Sequence, residues 1–412
     1  MSGDAITRRR GGSESGVAAR ALLNGRFERI SCAQRKPLWS VTIWDKKFNS
    51  VATGKQTTAI KYHYLLAGDL KEKIVPGGNV KLLTTSETDW WTTEDKVSGL
   101  VSEGEIVSIP WGGNPNVQYF KGRFVTADNR IATSSDKTVL DNKFLYYFML
   151  AKRNTIGSFY RGAGLKHPEM SKVLDMEIPL PNIEAQRSFA RCMDNVSKVI
   201  AARKMQLDSL SQLVKSRCGE MFGDPEDNPK GFPLLRIDDV VSFHGGSQPD
   251  KKFFEYEPTV DNVRLIQIRD YRTDRYKTYI PRSLAKRHCN PDDIMIGRYG
   301  PPIFQIFKGL EGAYNVAMMK AVPKMGNREF IRAFLQQDCL RHYLEGFSKR
   351  TAGQDGIQMD KLKAYPFPYP PIELQDLFAA FVAKVDKLAF AVRKSLESAE
   401  KLYRQQLSEA FA

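Results

Sequence analysis

Two stretches of the chain carry apolar residues at helical spacing over an unusual length. In the first, Val196, Ile200, Leu207, Leu210, Val214 and Met221 recur at intervals of three, four and seven, and Lys204, Asp208 and Lys215 occupy other faces. The second repeats the stripe with Val385, Leu388, Val392, Leu396, Ala399, Tyr403 and Leu407, with Lys394, Glu397 and Lys401 outside it. Each opens in a Pro-rich segment and then continues for about forty residues without proline, which predicts a long amphipathic helix. Such a helix is about 60 Å long and buries little of its stripe against one compact domain. The natural partner for each is the other, so an antiparallel pair is expected.

The same two stretches are copies of one another. IPLPNIEAQRSFA (Ile178 to Ala190) is echoed by FPYPPIELQDLFA (Phe367 to Ala379), and the register runs without gaps to Gly223 and Ala412 with 15 of 46 positions identical. Chance matching would give roughly three. Among the matched pairs are Pro179 with Pro368, Glu184 with Glu373, Gln186 with Gln375, Phe189 with Phe378, and Phe222 with Phe411. Fainter matches reach upstream, where Arg161, Ala163, Gly164, Met170 and Lys172 align with Arg350, Ala352, Gly353, Met359 and Lys361.

Between the helices the texture changes. VTIW, GEIVSIPW, RLIQI and DDIMIGRYG are strand-like runs separated by Gly, Pro and Asn turns. The run MFGDPEDNPKGFP stacks helix-stop and turn residues and marks a boundary. The expected fold class is α+β: two mixed α/β domains joined by two long helices that pair as an antiparallel coiled coil, with a pseudo-twofold internal repeat. The expected boundaries are a flexible basic extension over 1–36, a first domain over 37–177, a first helix over 178–222, and a linker over 223–231. A second domain over 232–366 and a second helix over 367–412 complete the chain.

With 412 residues, 42% hydrophobic and 26% charged, the chain is long enough for two cores. Lys and Arg outnumber Asp and Glu by 62 to 47, a net charge of +15 that favours a polyanionic partner. About a third of that excess lies in residues 1–36. No apolar run is long enough for a membrane span, and the basic start lacks the apolar stretch of a secretory signal. A cytoplasmic protein without a membrane partner is expected. The five scattered cysteines form no CxxC pair, so reduced thiols are expected.

A globular domain, a long helix opening in a PLPxxEAQ-like segment, a second domain and a second such helix together resemble the specificity subunit of type I restriction-modification systems. The resemblance covers residues 37 to 412. It is carried by Pro179 to Gln186 and Pro368 to Gln375, the linker Met221 to Gly231, and the segments SIPWGGNP (Ser108 to Pro115) and IGRYGPP (Ile296 to Pro302). It implies two target recognition domains that each read half of a split double-stranded DNA sequence, with the helices as a ruler between them. It also implies two modification subunits, which carry S-adenosylmethionine and methylate adenine, and restriction subunits that translocate and cleave DNA. No cofactor is expected in this chain.

Base reading requires Arg, Lys, Asn or Gln able to fork onto base edges. The paired loops FYRGAGLKHP and SKRTAGQDGIQM offer Arg161, Lys166 and His167 in one and Lys349, Arg350, Gln354 and Gln358 in the other. A solvated turn is the alternative reading of both. Trp111, Asn114, Arg298 and Tyr299 stand at strand ends and are further DNA-facing candidates, although Trp and Tyr there also serve to seal a core. The helix-packing candidates are Val196, Ile200, Leu207, Leu210, Val214, Val385, Val392, Leu396 and Tyr403.

No catalytic set is found. A methyltransferase needs a Gly-rich cofactor loop and an NPPY-like clamp, and neither is present. The Pro249–Lys252 and Pro291–Asp293 segments lack the acidic-x-lysine partner of a nuclease site. Cys339 with His342, and His288 with Cys289, lack the four-ligand spacing of structural zinc, so no metal is expected. The expected function is a non-catalytic specificity subunit that recruits the methyltransferase and restriction subunits. The alternatives are a stand-alone DNA-modifying enzyme with an unrecognised active site and a helical protein-interaction scaffold.

Overall fold

The computed structural model describes residues 30–45, 59–60, 65, 67–98, 100–300, 302–348 and 356–412. The chain divides into two units, Met1–Arg203 with Ser395–Ala412, and Lys204–Lys394. Each unit holds one globular domain together with part of both long helices.

In the first unit a seven-stranded mixed sheet runs in the order Ala59–Ile60, Thr42–Asp45, Asn129–Ser134, Ser102–Pro110, Gln118–Thr126, Val80–Leu83, Trp91–Thr92. Its centre is the antiparallel pair Ser102–Pro110 and Gln118–Thr126, which sets Ile106 opposite Phe120. The alternating apolar residues of these strands bury one face under the helix Asn142–Ala151. That helix starts where it does because Asp141 accepts the N–H groups of Lys143 and Phe144 at 2.9 and 3.1 Å, satisfying donors a first turn leaves open. The domain closes where Arg35–Pro37 pairs antiparallel with Glu177–Pro179.

The second unit reuses this frame around a different interior. Leu234–Arg236 pairs with Pro366–Pro368 just ahead of the second long helix, and Asn327 caps Arg328–Leu335 by accepting the Glu329 N–H at 2.9 Å. The single large sheet is replaced by two four-stranded sheets. One runs Val241–Gly245, Met318–Pro323, Ile294–Gly297, Gln305–Lys308; the other runs Tyr279–Pro281, Asn262–Ile266, Gly312–Tyr314, His288–Cys289.

The long helices span Ile183–Phe222 and Ile372–Ala410. They run antiparallel in each unit. In the first, Phe189 meets Phe411 at a ring-centroid distance of 5.5 Å, and eight residues further along Ser197 hydrogen-bonds Tyr403, eight residues back. In the second, Phe222 meets Phe378 at 5.4 Å and the Arg217 guanidinium lies over the Phe381 ring at 5.9 Å. The last aromatic of each helix is thus inserted in a core built mainly by the other repeat: Phe411 against Phe144, Phe148 and Phe189, and Phe222 against Phe330 and Phe378. Each such burial contributes about 1.5–3 kcal/mol.

Four sequence expectations change. The extension assigned to 1–36 is shorter: residues 1–29 lie outside the described residues, but Ile30 is fully buried in the first core and Arg35–Pro37 is a strand. The first helix begins at Ile183, not at 178, because Glu177–Pro179 is committed to its strand pair and Asn182 accepts the Ala185 N–H at 2.9 Å as a cap. Likewise the second helix begins at Ile372, after the strand Pro366–Pro368. Leu388, placed on the stripe by its spacing, is 58% exposed, and the buried row is Val382, Val385, Ala389 and Val392. The small Ala389 occupies the buried position beside it. Val196, Ile200, Leu207, Leu210, Val214, Leu396 and Tyr403 are half-buried.

Candidate nucleic-acid interface

In the first unit the chain leaves the strand Ser102–Pro110 into the turn Trp111–Asn116, and the short hairpin of Tyr160–Arg161 with His167–Pro168 lies against it. Tyr160 donates its buried hydroxyl to Pro110 O at 2.6 Å, and burial raises its pKa, so the phenol stays a donor. Gly113 N–H donates to Lys166 O at 3.3 Å, and a Cβ on Gly112 would meet the Leu165 side chain at 3.0 Å. His167 Nδ1 is 2.7 Å from Trp111 O, with the two rings 5.0 Å apart. Arg153 fixes the far end of the turn through Pro115 O at 3.0 Å and Asn116 Oδ1 at 2.6 Å.

Beneath this turn lies a residue that sequence reasoning missed. Arg130 is 1% exposed, stacks its guanidinium 3.8 Å from the Trp111 ring centre, and stands 3.7 Å from the fully buried carboxylate of Asp45. A buried guanidinium requires a counter-charge, and here that pair supports the underside of Trp111. Only its place in an otherwise inward-facing run, Asn129 to Ser134, hinted at its burial.

Of the candidates in this unit, the structure brings Trp111, Asn114, Arg161, Lys166 and His167 to one end of the domain. Asn114, Arg161 and Lys166 are exposed, and Trp111 and His167 are half-buried. Arg161 is tethered by Glu169 at 3.1 Å. A hydrogen bond from Lys172, aided by the charge of Arg161, holds the Glu169 carboxyl below the usual carboxylate range. The hairpin therefore presents Lys166 and the Arg161 guanidinium on a fixed support.

In the second unit Arg298 and Tyr299 follow the strand Ile294–Gly297, and Tyr299 makes an antiparallel bridge to Gly356. Arg298 stacks over the Tyr299 ring at 5.4 Å and donates to Val316 O at 3.3 Å. Lys349, Arg350 and Gln354 lie outside the described residues. Gln358 sends its amide inward to Phe347 O at 3.0 Å. In both units, then, a turn leaving a central strand meets the segment that precedes the last short helix of the domain.

The pairs considered for metal are otherwise engaged. Cys289 is buried, donates to Leu310 O at 3.0 Å, and has its thiol pushed up to about 11 by burial, while His288 contacts Ala285 O at 3.0 Å. Burial likewise raises the Cys339 thiol. Among the described residues no group of three or more His, Cys, Asp or Glu converges, and no helix is long and apolar enough to cross a membrane.

These features define a duplicated two-domain protein in which each domain presents basic and aromatic loops from one end of a sheet. Residues 34–212 match the family of the type I restriction modification DNA specificity domain. The specificity subunit of the type I restriction enzyme MjaVIII of Methanocaldococcus jannaschii is 18% identical over 335 residues, covering 73% of this chain and 77% of its own. The crystal structure of the S subunit of a type I restriction-modification system from M. genitalium shares the fold, with a TM-score of 0.60 at 15% identity over 92% of this chain and 96% of that one. A chain from a structure concerned with complex assembly and conformational transition of the type I system gives 0.45 at 17% identity, covering 83% of this chain and 96% of its own. Residues 34–212 thus match the type I restriction modification DNA specificity domain, and the chain is similar to specificity subunits of type I restriction-modification systems.

Proposed function

We propose that the chain is the sequence-reading subunit of a DNA methylation and restriction complex, in which each domain reads one half of a bipartite duplex target. The observation that carries this reading is the contrast between frame and content. The same closing strand pair, capped helix and helix start recur in both units, while one domain holds a seven-stranded sheet and the other two four-stranded sheets. A conserved mounting with different interiors is what two readers of unlike half-sites need. The exposed Lys and Arg side chains supply phosphate contacts, and the loops beside Trp111 and Tyr299 supply base contacts.

In this reading the chain is not itself catalytic. Two modification subunits bind it and hold S-adenosylmethionine, restriction subunits join the same assembly, and the long helices set the gap between half-sites. The test is to co-express the chain with the modification subunits, purify the complex, and map adenine methylation genome-wide. Methylation at one split motif, lost when this chain is omitted, is expected. A stable complex without motif-dependent methylation points to a scaffold, and methylation or cleavage by the chain alone points to an enzyme; either outcome overturns the proposal.

A further inference from the structure

One end of the second domain gathers side chains that the sequence motifs did not single out. The strands Asn262–Ile266 and Gly312–Tyr314 run parallel, so the loops that follow them emerge together, and Asn315 N–H donates to Ile266 O at 3.0 Å. Beside them the strand Ile294–Gly297 ends, and Arg298 N–H donates to Ala317 O at 2.9 Å. Just ahead of the strand Gln305–Lys308, Ile303 and Phe304 are both buried, and Phe304 takes a φ of 58°. A bulky aromatic is seldom found in that left-handed region, and such strain concentrates where a loop must hold one shape for a ligand.

Arg272 follows the short helix Ile268–Tyr271, after the strand Asn262–Ile266, and reaches across to the residue that follows Phe304. Its neighbour Tyr271 stacks on Phe307 with ring centres 4.1 Å apart and planes at 13°. Its own guanidinium donates to Gln305 Oε1 at 3.2 Å, and Gln305 in turn donates to Pro302 O at 3.0 Å. Arg272 is exposed, and among the described residues no carboxylate lies within ion-pair distance of it. The contrast with Arg264 is direct: that side chain is largely buried and bonded to both Asp270 and Asp274 at 3.1 Å. Arg264 therefore ties the loop together, whereas Arg272 gains only an exposed neutral hydrogen bond while losing the freedom of a long side chain. A planar guanidinium held in one orientation fits a two-acceptor edge, and on duplex DNA the O6 and N7 of guanine form that edge. Gln248, exposed on the adjoining loop and 3.5 Å from Asn315 Nδ2, adds an amide of the kind that reads adenine.

Resting on the DNA-reading proposal above, we infer that Arg272, oriented by Gln305, is a specificity-determining residue that forks onto a guanine in the half-site read by the second domain. The experiment uses the full chain co-purified with its modification subunits and compares methylation motifs for the unchanged chain, Arg272→Ala, Arg272→Lys and Gln305→Ala. Arg272→Ala is expected to lose discrimination at a single guanine of one half-site by about ten- to a hundredfold and to leave the other half-site intact. Arg272→Lys, which keeps the charge without the fork, is not expected to restore it. Gln305→Ala is expected to relax the same position partially. Equal loss at every position, rescued by lysine and accompanied by a weaker salt dependence, would mark a phosphate contact and overturn the assignment, as would an unchanged motif. If the unchanged chain directs no split motif, the DNA-reading proposal itself fails, a result distinct from both of these.

Discussion

The side chain of Gln186, fully buried at the start of the first long helix, accepts the main-chain N–H of Asp141 at 3.0 Å, and Asp141 is the cap of the domain helix that follows it. The amide nitrogen of Gln186 donates to Val139 O and Pro181 O, each at 2.8 Å. In the second unit Gln375 does the same for Asn327 at 2.8 Å, and donates to Pro370 O at 2.8 Å. One glutamine per repeat therefore locks the Pro-rich turn that launches a long helix to the cap of a helix inside the domain.

Replacing either glutamine strands buried partners of both polarities. Gln186→Ala and Gln375→Ala are each expected to cost about 1–3 kcal/mol in denaturant unfolding. Because the two sites lie in separate units, the double variant should be additive within about 0.5 kcal/mol. Single losses below about 0.5 kcal/mol would show that water replaces the clamp at little cost.

The terminal aromatics carry the reciprocal anchoring. Phe411→Ala removes a ring touching Phe144, Phe148 and Phe189, and Phe222→Ala one touching Phe330 and Phe378. Each is expected to destabilise its own unit by about 3–5 kcal/mol. Hydrogen exchange should localise the loosening to that unit, and loosening spread evenly over both would contradict the assignment of each ring to one core.

Much of this architecture is legible in the sequence, and the remainder is hidden for physical reasons. Long apolar stripes without proline declare the helices, and the matched Pro179/Pro368 and Gln186/Gln375 declare the repeat. Spacing alone could not distinguish Leu388 from Ala389, because a helix pair selects the side chain at its seam by position and close approach rather than by hydrophobicity. Nor could composition show that Glu177–Pro179 is bound as a strand, since its partner Arg35–Pro37 lies far away in the chain. At the candidate interface, Trp111 and Arg298 stood out as residue types at strand ends. Arg130 did not, because a buried cation is defined by its partner Asp45 and not by any local pattern. Arg272 lay in a charge-rich turn whose outward and inward arginines are distinguished only by where Asp270 and Asp274 fall.

The Arg130–Asp45 pair offers a test of support beneath Trp111. Asp45→Ala leaves a buried guanidinium without its carboxylate and is expected to cost about 3–5 kcal/mol. The double change Asp45→Leu with Arg130→Met, which removes both charges, should recover most of that stability while still weakening DNA binding, because Trp111 loses the cation stacked on it. A double variant that is stable and binds DNA normally would limit the pair to a packing role.

Two thiols provide a pH signature. Burial pushes Cys218 and Cys289 up to about 11, so at pH 8 only about one in a thousand of either is thiolate. Alkylation followed by mass spectrometry at pH 8 should label the exposed Cys32 first and leave these two unmodified until the chain unfolds. The sign of the linkage follows: their folded pKa exceeds the unfolded value of about 8.5, so the folded state holds more protons between those values. Stability is therefore expected to fall as pH rises from about 8.5 toward 11. Labelling of Cys289 at the same rate as Cys32 would contradict its burial.

The ruler proposal makes a metrical prediction. Seven residues span about two helical turns and preserve the apolar stripe, adding about 10 Å of helix. Inserting seven residues after Arg203 and seven after Lys394 leaves the anchors Phe189–Phe411 and Phe222–Phe378 within their own units. At about 3.4 Å per base pair, the gap between half-sites should lengthen by about three base pairs, with the bases of both half-sites unchanged, as read by mapping methylated adenines. Lengthening only one helix breaks the match between the antiparallel partners and should lower stability instead. A doubly extended chain that remains folded and methylates the original spacing would show that the gap is set elsewhere, and the helices would then serve only to hold the two domains in one chain.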